Sequence, residues 1–435
     1  MYESKGTVSS GKGRSSHVLI IGAGLSGLSC AYHLKKANIE FTILEGSDAA
    51  GGRVRSDRVE GFILDRGFQV LLSEYPEAKA MLDYDKLALK SFVPGAQVRY
   101  GGRFHTVADP WRRPGDSLKS LFNPIGTLKD KLLIAKLKDT VSSVSLKALY
   151  EKDEKTTETY LKQFGFSDRI IERFFRPFFG GVFFDRSLST SSKMLEFTFR
   201  MFAAGETCLP TDGMGAIAQQ LVEQVGRSKI QLNSRVAEIK DLSVTLSDGT
   251  LIQSDSIVVA TEGPEAAKLL AMPPAEPMRT VKCFYFSADT SPLKAPILVL
   301  NADSDGPINN LCVPSDVNKS YAPDGKSLIS ASVIGNDKLI CEDLQKQVLN
   351  QLESWFGSQV KNWKLLKTYN IKIGLPDNSP PALKQVEKPV RLRDGVYICG
   401  DHRETSSIQG ALASGRRAAE TLIEDFEASA LKAAG

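Results

Sequence analysis

The chain has 435 residues, enough for two or three domains and a large buried core. Its composition is that of an ordinary globular protein, 42% hydrophobic and 24% charged. The net charge of +4, with no Lys/Arg block interleaved with aromatics, excludes a nucleic-acid partner, and no uninterrupted apolar run is long enough to cross a bilayer. The six cysteines (Cys30, Cys208, Cys283, Cys312, Cys341, Cys399) are dispersed without a CxxC pair, and the four histidines do not cluster. That pattern predicts buried thiols in a reducing compartment, cytoplasmic or plastid, and no metal.

Residues 1–16 are polar and rich in Gly, Ser and Lys, and read as a disordered tail: either the remainder of a cleaved transit peptide or appended residues. The fold begins at HVLIIG (17–22), a continuous apolar run of the kind buried on both faces of a parallel sheet. A helix is predicted from Leu25 to Ala37, and EFTILE (40–45) is a second buried strand. Strand, tight turn, helix and strand make one βαβ unit. Gly22, Gly24 and Gly27 form a GxGxxG in that context, continuing through Leu25 and Ser26 into the helix. Gly22 permits the tight turn, Gly24 lets backbone approach a pyrophosphate, and Gly27 lets the helix lie close to the sheet. The helix N-terminus offers unpaired N–H groups to the phosphates. Glu45 ends the second strand where a carboxylate binds adenosine ribose hydroxyls, and an acid there disfavours a 2′-phosphate.

Just beyond comes Gly51-Gly52-Arg53-Val-Arg55-Ser56. An NAD domain has no use for it. In an FAD protein the glycines allow close approach and Arg53 neutralises the diphosphate. The cofactor predicted is therefore FAD.

Residues 90–205 read as mostly helical. Within them NPIGTLKDKLLIAKLKDTV (123–141) opens on Asn-Pro, a good helix start, and places Ile125, Leu128, Leu132, Leu133 and Leu137 on one stripe with lysines mostly off it. It is either an ordinary surface helix or a peripheral membrane contact. The aromatic run Phe174 to Phe184 is either helix core or the lining of a hydrophobic channel, with Arg176, Phe178 and Phe179 in the second reading. SDSIVVAT (254–261) and GVYICGD (395–401) are further strands of the first sheet, and a helix follows from Gln409 to about Glu424. Residues 281–375 alternate as strands around a helix near 341–356. The expected architecture is α/β: a Rossmann-like FAD-binding domain with a doubly wound parallel sheet, from 17–88, 206–280 and 385–428, and an inserted mixed α+β substrate domain from 89–205 and 281–384.

These residues resemble the FAD-dependent amine-oxidase superfamily, which includes monoamine and polyamine oxidases, protoporphyrinogen oxidase and the phytoene-desaturase and carotenoid-isomerase group. GAGLSGL, Glu45 and GGRVRS match its opening. LDRGFQVL (64–71) is similar to the segment beside the flavin ring, implying Gly67, Phe68 and Gln69 as ring neighbours. LPTDGMGAIAQQL (209–221), containing Met214, is similar to the family's Pro-x-Gly-Gly-Met segment, with Asp212 replacing the first Gly, and Met214 joins the implied substrate lining. SRVAEI (234–239) implies that Val236 contacts the adenine. VYICGD and SSIQGALASGRRAA match the C-terminal flavin motif, so Gly400 and Asp401 would bind the ribitol region, and Ile408, Gln409 and Ala411 would face the pyrimidine end.

The resemblance also places Lys282, in MRTVKCFYF, on the strand that carries a lysine near flavin N5; the alternative is a solvent-facing strand lysine. The family's two amine-flanking rings are missing: neither Ser407 nor Lys372 to Gly374 supplies Tyr, Phe or Trp. No second GxGxxG is present for a nicotinamide, which implies reoxidation by O2, a quinone or another carrier. No Cys stands where covalent family members attach the ring, so the FAD is expected to be non-covalent. The expected reaction is hydride transfer to flavin N5 from a hydrophobic small-molecule substrate, isoprenoid-, carotenoid- or porphyrinogen-like, or flavin-assisted isomerisation of a polyene. The alternatives are an amine oxidase using Lys282 and a catalytically idle flavoprotein that binds a lipid or a partner protein.

Overall fold

The computed structural model describes residues 17–109, 112, 123–335 and 341–434. The expected tail, 1–16, lies outside them.

Two sheets organise the molecule. The first has six strands in the order Ile230–Gln231, Glu40–Leu44, His17–Ile21, Ser256–Val259, Val396–Ile398 and Arg391–Arg393. The first five run parallel; the last turns back antiparallel on its neighbour. Three stretches of chain far apart in sequence thus meet in one sheet, as the apolar runs at 17–22, 40–45, 254–261 and 395–401 require: each is buried on both faces and needs cover on both.

That cover departs from the doubly wound expectation. One face carries helices: Leu25–Lys36 packs against Ile408–Ala434 and Gly215–Val225. Ser29 Oγ donates to the Leu412 carbonyl at 2.7 Å across the first of these contacts. The opposite face is covered mainly by a three-stranded antiparallel sheet, Val236–Lys240, Ser243–Leu246 and Leu251–Gln253. Its Val236, Val244 and Leu246 share a core with Leu19, Ile21, Leu44, Ile257 and Val259. The short alternating segments 236–253 present one apolar face, which meets the cover requirement as a helix would.

The second sheet has seven strands in the order Lys364–Pro376, Met278–Ala288, Ser327–Ile334, Ile308–Cys312, Leu298–Asn301, Gly95–Tyr100 and Arg103–Ala108. Only Leu298–Asn301 and Gly95–Tyr100 pair in parallel. The last two strands are an exception within 90–205, which is otherwise mostly helical as expected. They form a hairpin closed by Gly101-Gly102, whose φ values of +60° and +70° suit the tight hairpin turn that glycine pairs favour. Among the described residues of this stretch, helices follow from Leu128 onward.

Alternation along the central strands divides this sheet cleanly. Phe284, Phe286, Ile329, Ala331 and Val333 face the helix Cys341–Phe356 and pack with its Leu344, Val348, Leu352 and Trp355. Cys283, Tyr285 and Leu328 face the main core shared with the parallel sheet. No helix among the described residues is long and apolar enough to cross a membrane.

Candidate active site

A cavity of about 740 Å³ runs from the C-terminal ends of the parallel strands to the seven-stranded sheet. At one end the chain turns from His17–Ile21 into Leu25–Lys36 through Gly22, Ala23 and Gly24. Gly22 has φ +107°, and a Cβ on Gly27 would lie 2.0 Å from the Gly22 carbonyl oxygen. Only glycines let this helix start so close to the strand. The N-cap, Gly24, has no side chain to occupy the first-turn N–H groups, and Gly22, Gly24, Leu25 and Ser26 line the cavity. Gly27 does not reach the lining; it works behind it, in the helix–strand contact.

Glu45, at the end of the second strand, also lines the cavity. Its Oε2 accepts from the Ala23 N–H at 2.8 Å, and its Oε1 from the N–H and hydroxyl of Ser47 at 2.8 and 2.7 Å. The carboxylate is therefore locked to the glycine turn, with acceptor capacity remaining for hydroxyl donors. Val236 lies close by in the lining, as do Gly51, Gly52 and Arg53. Arg53 donates to Asp401 at 2.6 Å and to the Gly374 carbonyl at 2.8 Å, joining the glycine-rich turn to the C-terminal motif.

Gly67, Phe68 and Gln69 line the middle of the cavity, and Gln69 is held by the Arg53 and Arg66 carbonyls at 2.9 and 3.2 Å. Gly400, Asp401, Ile408 and Ala411 complete it. Gln409 does not join them: its amide oxygen accepts from the Glu77 N–H at 2.8 Å, so it ties the last helix to the chain at Pro76.

Behind Gly67 sits a buried carboxyl, Asp65, held by Ser56 at 2.5 Å, the Met214 N–H at 2.8 Å and Tyr321 at 3.0 Å. Burial raises it to about 6 despite those hydrogen bonds. Nearby, burial alone would raise Asp57, but hydrogen bonds from Lys367, Tyr369 and Arg66 more than offset it and hold the carboxyl well below the usual range. Beside Asp401, burial lowers His402 to about 4, so its imidazole is neutral at physiological pH.

Four residues expected in the catalytic or substrate set lie elsewhere. Lys282 is buried but faces away: it shares the Phe284, Phe286 and Val333 side of the sheet, while its neighbour Val281 lines the cavity. The strand is apolar on both faces, and the pairing Val281↔Ile371 and Cys283↔Tyr369 fixes the odd-numbered positions toward the cavity. Lys282 is not without a partner. Arg176 is bound to Glu172 at 2.7 Å, Glu158 at 3.1 Å and the Arg186 carbonyl at 2.6 Å, an ion-pair role outside the lining. Phe179 and Met214 are fully buried core residues. Of the aromatic run, Phe178, Phe183 and Phe184 line the cavity, whereas Phe175 and Phe179, four residues apart, are buried in the core.

The lining also includes aromatic rings that sequence reasoning missed: Tyr75, Phe202 and Tyr369. Tyr369 lies on the same face of its strand as Ile371 and Ile373, which also line the cavity, and its hydroxyl donates to Asp57 at 2.6 Å. Alternation about Ile371 was the available signal. Ser407 lines the cavity as expected of that position, and carries no ring.

The helix Leu128–Ser142 starts inside the 123–141 segment and ends one residue past it, with a capping box between Thr127 and Asp130. Its predicted stripe divides. Ile125 and Leu137 are buried, whereas Leu128 and Leu132 are 65% and 73% exposed, one turn apart.

A bare helix N-terminus, a carboxylate anchored at the ribose distance along the chain and an elongated cavity fit a dinucleotide cofactor at this end. The family model for flavin containing amine oxidoreductases matches residues 25–423. A 15-cis-phytoene desaturase of an Oncidium hybrid cultivar is 23% identical over 94% of this chain and 78% of its own length. The probable flavin-containing monoamine oxidase A of Dictyostelium discoideum is 24% identical over 93% of this chain and 97% of its own. Protoporphyrinogen oxidase 2 of Arabidopsis thaliana is 29% identical, but the match spans 38% of this chain and 32% of that protein. Among solved structures, an oxidoreductase from Methanosarcina mazei superposes with a TM-score of 0.72 at 17% identity, covering 93% of this chain and all of that one. Cyclohexylamine oxidase from Brevibacterium oxydans gives 0.67 at 17% identity, covering 95% and 100%. This chain belongs to the flavin containing amine oxidoreductase family and is an FAD-dependent oxidoreductase.

Proposed function

We propose that the protein oxidises a hydrophobic small molecule whose reacting part is uncharged, isoprenoid-, carotenoid- or porphyrinogen-like, or isomerises a polyene of that kind, with non-covalently bound FAD. One observation carries this reading. Where the helices Arg176–Phe183 and Ser192–Ala204 and the strands Leu298–Asn301, Ile308–Cys312 and Ser327–Ile334 line the cavity, they contribute Phe178, Val182, Phe202, Leu298 and Leu300 and no charged side chain among the described residues. An ammonium entering that chamber would lose its hydration without a counter-charge, a cost of several kcal/mol. Lys282, the residue that would favour amine oxidation, faces the other side of the sheet.

In this reading the FAD-binding unit comes from 17–88, 206–280 and 385–428 and the substrate unit from 89–205 and 281–384. FAD supplies the two-electron acceptor for a hydride leaving the substrate. The first-turn N–H groups from Gly24 to Ser26 and Arg53 hold the diphosphate. Glu45 takes the ribose hydroxyls, Val236 flanks the adenine, and Asp401 with Gly400 holds the ribitol. Gly67 to Gln69 would pack beside the ring, Ile408 and Ala411 would close its pyrimidine end, and Tyr369 and the apolar chamber would exclude water from the substrate side. The acceptor that would reoxidise the cofactor is O2 or a quinone. Exposed Leu128 and Leu132 give a peripheral contact with the lipid phase that holds such substrates.

The test is anaerobic mixing of the holoenzyme with a porphyrinogen, a carotenoid precursor and a primary alkylamine, following the flavin band. Bleaching by a neutral substrate, or its isomerisation recovered by chromatography, supports the reading. Bleaching by the amine alone overturns it.

A further inference from the structure

The apolar chamber contains one polar group whose orientation is fixed by its surroundings. Asn310 is buried, on the strand Ile308–Cys312, and lines the cavity. Its neighbour Asn309 accepts from Arg186 Nη1 at 2.9 Å through Oδ1. A guanidinium can only donate, so Asn309 must present its oxygen to Arg186. Its amide nitrogen then donates to the Pro177 carbonyl at 3.0 Å and to Asn310 Oδ1 at 3.0 Å. Asn310 is thereby obliged to present its oxygen to Asn309, which leaves its NH2 group for the cavity. Among the described residues Asn310 Nδ2 has no acceptor. The chain of donors runs from a residue that cannot reverse its role, so the amide cannot flip without breaking it.

Two features open this donor to a ligand. Gly181, across the chamber wall, also lines the cavity; a Cβ there would lie 2.9 Å from Asn309 Nδ2 and 3.0 Å from Asn310 Oδ1, so a larger residue would crowd the amide pair. Ser332 is the cross-strand partner of Asn310 and lines the cavity too. Such partners hold their Cβ atoms about 4.5–5.5 Å apart, so the serine hydroxyl stands beside the amide. Around them Leu298, Leu300, Phe178 and Phe202 are apolar, and Thr198 adds one further hydroxyl to the lining.

We infer that Asn310, with Ser332 beside it, is a specificity-determining residue that reads a single oxygen acceptor on an otherwise apolar substrate: a carbonyl, ether or hydroxyl oxygen rather than a plain hydrocarbon. The inference rests on the neutral-substrate reading above and narrows it. A hydrocarbon filling this chamber would leave the amide donor desolvated and unpaired, the condition under which a site rejects the analogue that lacks the oxygen.

The holoenzyme is equilibrated in detergent with two probes: farnesylacetone, a linear isoprenoid with one ketone oxygen, and the isoprenoid hydrocarbon in which a methylene replaces that oxygen. The amount of each retained per flavin is measured by gas chromatography of the protein fraction. Wild type is compared with Asn310→Leu and with the isosteric Asn310→Asp, which preserves volume and, measured at about pH 9 where the carboxyl is ionised, loses the donor. Comparing variant with wild type cancels the different partition of the probes into micelles. The ketone-over-hydrocarbon preference should fall about tenfold in both variants, the value of one hydrogen bond in a dry site. An unchanged preference in either correctly folded, flavin-loaded variant overturns this inference and leaves the neutral-substrate reading standing. Retention of neither probe by wild type also overturns this inference, and the reading it rests on is decided separately by the bleaching experiment above.

Discussion

The guanidinium of Arg53 lies 2.6 Å from the carboxylate of Asp401, a contact between residues 348 positions apart. It ties the turn after the second parallel strand to the turn after the last parallel one, and both turns line the cavity. Asp401 is nearly buried, with a side-chain exposure of 5%, whereas Arg53 retains 36%. Losing the arginine therefore strands a buried acid, whereas losing the acid leaves a cation that water can reach.

The two single variants should accordingly differ. Arg53→Ala should lose flavin and thermal stability together, because the diphosphate loses a partner and Asp401 loses its counter-charge. Asp401→Asn should lose flavin with a smaller fall in melting temperature. Flavin content after desalting and thermal melts of the apo-proteins measure both. Equal destabilisation of the two apo-proteins would count against the asymmetry.

Glu45 is a cleaner probe of the nucleotide end, because its three hydrogen bonds to Ala23 and Ser47 hold it in place before any ligand arrives. Glu45→Ala removes a charged acceptor for ribose hydroxyls, worth about 1.5–3 kcal/mol per hydrogen bond. The purified variant should carry much less FAD, and acid precipitation of wild type should release its flavin into the supernatant. Full occupancy in the variant, or yellow protein pellets from wild type, would contradict the assignment.

Asp65 makes a pH-dependent prediction. Its carboxyl is raised to about 6 in the folded chain by burial, against 3.8 for the free group. A raised acid holds its proton longer in the folded state. Its contribution to stability is therefore most favourable below pH 3.8, declines as pH climbs to about 6, and stays low above that. The difference is on the order of 3 kcal/mol at neutral pH. Asp65→Asn cannot ionise and can still accept from Ser56 and the Met214 N–H. Urea melts of the two apo-proteins should therefore show the variant gaining on wild type between pH 4 and 6, with the gap constant by pH 7.5. A gap that does not widen over that window would mean the carboxyl is not raised.

How far these sites could be read from the sequence follows from how locally each is determined. The nucleotide end is readable because its causes are adjacent: Gly22, Gly24, Gly27 and Glu45 act within one βαβ unit, and burial on both faces shows in the continuous runs His17–Ile21 and Glu40–Leu44. The substrate end is not, because its causes are distant. Asn310 matters only through Arg186 and Asn309, and Tyr369 only once Lys364–Pro376 has paired with Met278–Ala288. The cover over the parallel sheet was misjudged for a related reason. A three-stranded sheet and a helix layer satisfy the same apolar face, and no residue of the parallel strands distinguishes them.

Lys282 shows the same limit most sharply and gives the last prediction. The segment MRTVKCFYFSA is apolar at successive positions, so its pattern does not reveal which parity faces the cavity. The pairing decides it: Val281 opposite Ile371 and Cys283 opposite Tyr369 set one face toward the cavity, and Lys282 takes the other with Phe284 and Phe286. Lys282→Met keeps the apolar stem and removes the charge. It should change melting temperature, since Lys282 is engaged where it lies, but leave flavin content and the rate of oxygen reoxidation within about twofold of wild type. Val281→Phe, at the position that does line the cavity, should instead alter reoxidation or substrate-dependent bleaching while the fold survives, because overpacking there costs about 1–3 kcal/mol. Stopped-flow mixing of the anaerobically reduced proteins with oxygen makes the comparison. A positioned donor beside the reacting nitrogen is worth on the order of 10²-fold in rate. A loss of that size in Lys282→Met, with Val281→Phe unaffected, would reverse the parity assigned to this strand and restore the lysine to the flavin.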